Sequence, residues 1–138
     1  MTIEDTAAVA RLATQLGYPS TAAQIERRFH ALDESPDARA LVAQSQDGTV
    51  LGWIHVYGTR HLESDPGAEI GGLVVDEAAR GQGVGSALMT SAEAWAKECG
   101  YDVVRIRTNV VRLEAHEFYK SRGYQVTKSQ YRLGKSLV

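Results

Sequence analysis

Residues 73–87 read Leu-Val-Val-Asp-Glu-Ala-Ala-Arg-Gly-Gln-Gly-Val-Gly-Ser-Ala: an apolar strand end, a short polar approach, three glycines at alternate positions, and the start of a helix. Glycines between a strand and a helix let the backbone come close to a ligand, and the helix behind them begins with amides that have no intrahelical acceptor. Those donors and the positive end of the helix dipole suit a phosphate or pyrophosphate, and Arg80 adds a fixed positive charge beside them. A Walker loop would need Gly-Lys-Ser/Thr, which is absent. A G-x-G-x-x-G dinucleotide fingerprint would need a glycine where Ser86 stands, and Asp102 lies at the start of the following strand rather than at its end.

The flanking segments set the fold. Downstream, Val84, Ala87, Leu88, Ala92 and Trp95 keep a helical period until Gly100. Upstream, Ala68 to Val75 reads as a buried strand interrupted by Gly71-Gly72, where a bulge or a close backbone approach is expected. Further upstream, Ala40 to Gln44 and Val50 to Tyr57 form a hairpin across Gln46-Asp47-Gly48. Two helices open the chain. Val9, Leu12, Ala13 and Leu16 make the first stripe, closed by Gly17. Ser20 or Thr21 caps the second, with Gln24 completing a box after Thr21, and Pro36 ends the segment. Val103 to Thr108 reads as a strand with Arg105 and Arg107 on one face, expected to be solvated. Leu113 to Arg122 reads as a helix closed by Gly123, and Tyr124 to Leu133 as a last strand or hairpin arm. The order predicts an α+β (mixed α/β) fold with a mostly antiparallel twisted sheet flanked by helices, in one domain over residues 1–138.

Composition narrows the function. Fifteen basic against 17 acidic side chains, a net charge of −2, give no cationic stripe for displacing phosphate counterions, so no nucleic-acid partner is expected. No apolar run reaches the roughly 18 residues of a membrane span, and Met1 to Asp5 lacks the apolar core of a signal peptide. The single cysteine, Cys99, cannot pair within the chain and is expected to be buried and inert, which suits a cytoplasmic location. His30, His55, His61 and His116 show no ligand-like spacing with each other or with Cys99, so no metal is expected.

Arg80-Gly81-Gln82-Gly83-Val84-Gly85 resembles the Arg/Gln-x-x-Gly-x-Gly/Ala loop of the GNAT superfamily of acetyl-CoA-dependent N-acetyltransferases. Ala115-His116-Glu117-Phe118-Tyr119-Lys120-Ser121-Arg122-Gly123-Tyr124 is similar to that family's second motif, A-x-x-F-Y-x-x-x-G-F/Y, and the resemblance runs over about residues 5–135. It implies acetyl-CoA as co-substrate, with the pantetheine arm lying along Leu73, Val74 and Val75 like an added strand. It places the pyrophosphate on the amides of Gly81, Gln82, Gly83, Val84, Gly85 and Ser86 beside Arg80. Asn109 matches a polar position that bonds the cofactor arm, and Tyr119 matches a tyrosine that donates to the departing thiolate.

The chemistry asks for a base, because an amine of pKa near 10 is only about one part in a thousand free base at pH 7. Glu69, just before the glycine pair, is the candidate, and a backbone N–H near Leu73 or Val74 is the candidate donor to the oxyanion. The acceptor site is expected between the first two helices, the loop Gly58 to Gly67 and the C-terminal strands. That loop carries both acids, Glu63 and Asp65, and cations, Arg60 and His61, so the charge of the acceptor stays open. Relatives open with a short strand; here it is missing or reduced to two or three residues, and an exposed edge would favour a homodimer or cover by the C-terminal arm. The leading expectation is acetyl transfer to a primary amine of a small molecule. A protein N-terminus as acceptor, a non-catalytic acyl-CoA-binding or sensory module, and a nucleotide-binding protein are the alternatives.

Overall fold

The structure, a computed structural model, describes residues 1–108 and 112–138. It comprises two compact units, Met1–Arg107 and Thr108–Val138.

The first unit opens not with a strand but with a 3-10 turn, Ile3–Asp5. The Thr2 N–H donates to Asp5 Oδ2 at 2.7 Å, and Asp5 is buried, so the segment is held in a local loop rather than extended. Helix α1, Thr6–Gln15, follows and buries Val9, Leu12 and Ala13 as the stripe requires. Gly17 closes it with φ +98°, a conformation that side-chain-bearing residues rarely adopt. Helix α2, Ala22–Asp33, starts on the expected reciprocal box: Gln24 N–H donates to Thr21 Oγ1 at 3.1 Å, and Thr21 N–H donates to Gln24 Oε1 at 2.9 Å.

Strands β1, Ala38–Gln44, and β2, Val50–Thr59, form the antiparallel hairpin, with Gly48 at φ +87° in its turn. Strand β3, Gly67–Val75, pairs antiparallel with β2, and β4, Val104–Ile106, pairs parallel with β3. The order is β1-β2-β3-β4. Between β3 and β4 runs helix α3, Val84–Glu98, preceded by a 3-10 turn at Glu77–Ala79. Neighbouring β2 residues show that helices cover both faces. A Cβ on Gly52 would face Val84 and Leu88 of α3, whereas Trp53 packs with Val9 and Ala10 of α1 and Ile25 of α2. Leu12, Ile54, Val56 and Met89 are fully enclosed, each contributing about 1.5–3 kcal/mol of burial.

A polar clasp joins the start of β1 to the end of β2. Asp37 accepts a hydrogen bond from Tyr101, pairs with Arg60, and is held below the usual carboxylate range by Tyr101 first and Arg60 second. Arg60 also sits 6.0 Å over the Tyr101 ring. Gly58 is glycine because a Cβ there would collide with Tyr101 and Asp37.

The second unit holds helix α4, Leu113–Ser121, closed by Gly123 at φ +91°. The expected strand over Tyr124 to Leu133 is not formed: those residues are irregular. Val126 stands on one parity and Tyr131 and Leu133 on the other, all three exposed, so the segment has no apolar face to bury. Cys99 corrects a second expectation, since as the residue just past α3 it is exposed rather than buried.

Candidate active site

Strand β3 changes character at Gly71. Up to Ile70 it is paired on both sides, with Ala68, Glu69 and Ile70 opposite Val104, Arg105 and Ile106 of β4. From Gly71 to Val75 its described partners all lie on β2. The change coincides with a bulge: His55 faces Gly72 and Val56 faces Ile70, leaving Gly71 as the extra residue. The expected bulge therefore stands where the two glycines are. Both are needed, because a Cβ on Gly71 would come within 2.8 Å of His55 Nδ1 and 2.9 Å of Tyr57 Cε1, and one on Gly72 within 2.9 Å of the Trp53 ring. Leu73, Val74 and Val75 lie on the length of β3 whose edge away from β2 carries no paired strand among the described residues.

The glycine loop follows. Gly81 and Gly83 have φ of +78° and +82°, and no heavy atom lies within 4 Å of where their Cβ would be. Glycine is required there by backbone angle, while the space beside it is open for a ligand. Gly83 is the N-terminal cap of α3, so the amides of Val84, Gly85 and Ser86 are the first of a 15-residue helix and have no intrahelical acceptor. The loop is held from α1: Arg11 pairs with Asp76 at 3.0 Å, and Gln15 Oε1 accepts from the Glu77 amide at 3.1 Å. Exposed Arg80 turns back, its Nε donating to the Val75 carbonyl at 3.4 Å. Gln82 is exposed within the loop.

Glu69 is 7% exposed, and both of its oxygens are engaged. Oε2 accepts from the Tyr57 hydroxyl, and Oε1 lies 3.2 Å from Arg107 Nε. Arg107 is 62% exposed, as the expectation of a solvated face has it, and its guanidinium also reaches back to a buried carboxylate. Tyr57 stacks on His55, ring centroids 5.1 Å apart. Burial pushes the His55 imidazole below its ordinary pKa, and its Nε2 is enclosed without a hydrogen-bond partner among the described residues. His55 and Tyr57 line a cleft of about 330 Å³ with Leu32, Ser35, Asp37 and Gly58, at the end of α2 and on β2.

In the second unit, Tyr119 lies on α4 with its ring against Phe118 and Tyr124. Burial raises its phenol above the usual range, against a smaller opposite effect of Arg112, so it is protonated at neutral pH. Asn109 lies outside the described residues. Among the described residues no cluster of His, Cys, Asp and Glu is arranged to hold a metal, and no helix is long and apolar enough to cross a membrane.

Tyr57, His55 and Arg107 escaped the sequence reading. The available signal was Trp53, His55 and Tyr57 at alternate positions of one strand, opposite a glycine pair.

The chain matches the acetyltransferase (GNAT) family over residues 7–124. An aminoalkylphosphonate N-acetyltransferase of Salmonella typhimurium is 37% identical over 67% of this chain and 59% of that enzyme, so the chain spans less than two thirds of that relative. An aminoglycoside N(6')-acetyltransferase type 1 of Stenotrophomonas maltophilia is 28% identical over 90% of this chain and 82% of its own length. The structure of an aminoglycoside antibiotic 6'-N-acetyltransferase from Acinetobacter haemolyticus shares the fold with a TM-score of 0.85 at 21% identity, covering 100% of this chain and 97% of the other. A bulged third strand, a glycine loop at a helix N-terminus and a family match that includes both sequence motifs agree: the chain belongs to the GNAT family of acetyltransferases.

Proposed function

We propose that this protein transfers the acetyl group of acetyl-CoA to a primary amine of a small molecule by direct attack, with residues 1–138 acting as one acetyltransferase domain. The observation that carries this reading is the edge of β3 that opens at Gly71 and leads straight into the left-handed glycine loop. An extended pantetheine amide chain suits such an edge over Leu73, Val74 and Val75, and a pyrophosphate suits the amides of residues 81–86 with Arg80 beside them.

The reaction then needs three things of the chain. An N–H at the bulge, near Leu73 or Val74, meets the negative charge that develops on the thioester oxygen. Glu69 takes the proton that the ammonium must lose. Tyr119, protonated at neutral pH, donates to the departing sulfur. Asn109 is assigned to the cofactor arm on the resemblance of its position alone.

The two enzymes similar in sequence are named for amines of opposite character, one an aminoalkylphosphonate and one an aminoglycoside. We assign the acceptor to this broad class of small amines and place it beside His55 and Tyr57. A homodimer is part of the proposal, supported by the outer edge of β1, which pairs with no strand among the described residues, and by exposed Tyr131, Leu133 and Leu137. Light scattering that gives a monomer at high micromolar concentration removes the dimer. The exposed Cys99 thiol favours a reducing, cytoplasmic setting.

Thermal unfolding with ligands, followed by CoA thiol release with a panel of primary amines, tests the function. Stabilisation by acetyl-CoA and CoA but not by NAD or ATP, with thiol release that depends on the amine, is the expected result. Stabilisation without transfer to any amine would leave an acyl-CoA-binding module. Transfer only to peptide N-termini would move the acceptor to proteins.

A further inference from the structure

We propose that Tyr57 is a catalytic residue of this site: its hydroxyl receives a proton from the acceptor ammonium while passing its own to Glu69. The inference rests on the acetyltransferase reading above and identifies the group that meets the amine. Glu69 is 7% exposed and does not line the 330 Å³ cleft, whereas Tyr57 does. Tyr57 also lies at the bulge, its Cε1 2.9 Å from the point where a Gly71 Cβ would stand, and its hydroxyl donates to Glu69 Oε2. One side chain thus touches the cleft, the bulge and the buried carboxylate. A phenol hydroxyl is both a donor and an acceptor, so one proton can arrive at its oxygen as another leaves it.

One N–H bond of R–NH3⁺ breaks as an O–H bond forms at Tyr57, and the original Tyr57 O–H bond breaks as one forms at Glu69 Oε2. The result is R–NH2, an unchanged tyrosine and a neutral Glu69 carboxyl. The amine then attacks the thioester carbon, the C–S bond breaks, Tyr119 gives its proton to the sulfur and takes the second N–H proton in its place, and Glu69 returns its proton to solvent. The charged and titratable groups around this pair are His55, stacked on Tyr57; Asp37, across the cleft and committed to Tyr101 and Arg60; Arg105, opposite Glu69 in register; and Arg107, on Glu69 Oε1. Arg107 is a positioning residue here. It holds Oε1 of the carboxylate, so that Oε2 faces Tyr57.

The test is the pH dependence of kcat/KM for an amine that the wild-type chain acetylates, with acetyl-CoA titration and thermal unfolding to show that each variant is folded. The wild type uses the ammonium form and gives a nearly flat profile from pH 7 to 9. Tyr57→Phe must wait for free amine. It should lose about 100-fold at pH 7, rise about tenfold per pH unit, and recover most of its deficit by pH 9.5. Glu69→Gln should do the same, and the double variant should be no slower than either single one. Arg107→Gln, which frees Oε1 and loosens the carboxylate, should show part of the Tyr57→Phe deficit at pH 7 and the same rise toward pH 9.5. A Tyr57→Phe enzyme with the wild-type rate and profile, or a double variant whose losses multiply, overturns the relay while leaving acetyl transfer intact. Should Tyr57→Phe not fold, Glu69→Gln decides alone, and a flat profile in it overturns the proposal. Absence of transfer by the wild-type chain overturns the functional reading, and the relay with it.

Discussion

Gly71 lies directly under His55: a Cβ at Gly71 would stand 2.8 Å from His55 Nδ1. That contact ties the bulge of β3 to the aromatic row of β2, and through the stack on Tyr57 to Glu69. Gly71→Ala should therefore act as an overpacking change, costing about 1–3 kcal/mol. Thermal unfolding should show a melting temperature lower by several degrees, and acetyl transfer should fall with it because the His55 and Tyr57 rings must move. An unchanged melting temperature and rate would mean that the bulge tolerates a side chain.

Gly83→Val tests the loop. At φ +82° a valine is strained by about 1–2 kcal/mol, and since no atom lies within 4 Å its side chain would project into the space left for a ligand. Calorimetric titration should show loss of acetyl-CoA binding while the variant remains folded. Retained affinity would remove the pyrophosphate from this loop.

The half-buried His55 gives stability a pH dependence. Its folded pKa is lowered by burial, so below its ordinary value the unfolded chain binds a proton that the native state does not. Its contribution is complete above about pH 6.5 and is lost as pH falls through that value toward the lower folded pKa. Melting temperature should drop by a few degrees between pH 7 and pH 5, and His55→Gln should flatten that drop. Asp37 and Asp76 titrate below this window, since both are shifted downward from ordinary carboxylate values.

Tyr119→Phe should lower kcat by about 10- to 100-fold with little change in acetyl-CoA affinity, as expected for loss of a proton donor that acts on the leaving group. Because burial raises the Tyr119 phenol, its ionisation should cost the wild-type rate only above the ordinary phenol range. An unaltered kcat in the variant would take the tyrosine out of the mechanism.

What the sequence reveals follows the range of the forces involved. The Thr21–Gln24 box, the closing glycines 17, 100 and 123, and the bulge at Gly71-Gly72 were legible because each depends on backbone conformation within a few residues. The loop of residues 80–86 was legible for the same reason. The engagement of Glu69 by Tyr57 and Arg107 was not, since it joins β2, β3 and the residue just past β4 and depends on register that no local pattern fixes. Cys99 continues the buried stripe of α3 in sequence, one turn after Trp95, but it sits where the helix has already ended. The segment after Gly123 was misread for a more instructive reason: β-branched and aromatic residues suggested a strand, yet their apolar members change parity between Val126 and Tyr131.

Amide hydrogen exchange with and without acetyl-CoA tests most directly the claim that the open edge of β3 and the glycine loop together hold this co-substrate. Exchange should slow in two segments, residues 71–75 and residues 81–86, with no change along the outer edge of β1. Unchanged exchange in both segments at saturating acetyl-CoA, or protection confined to β1, would contradict it.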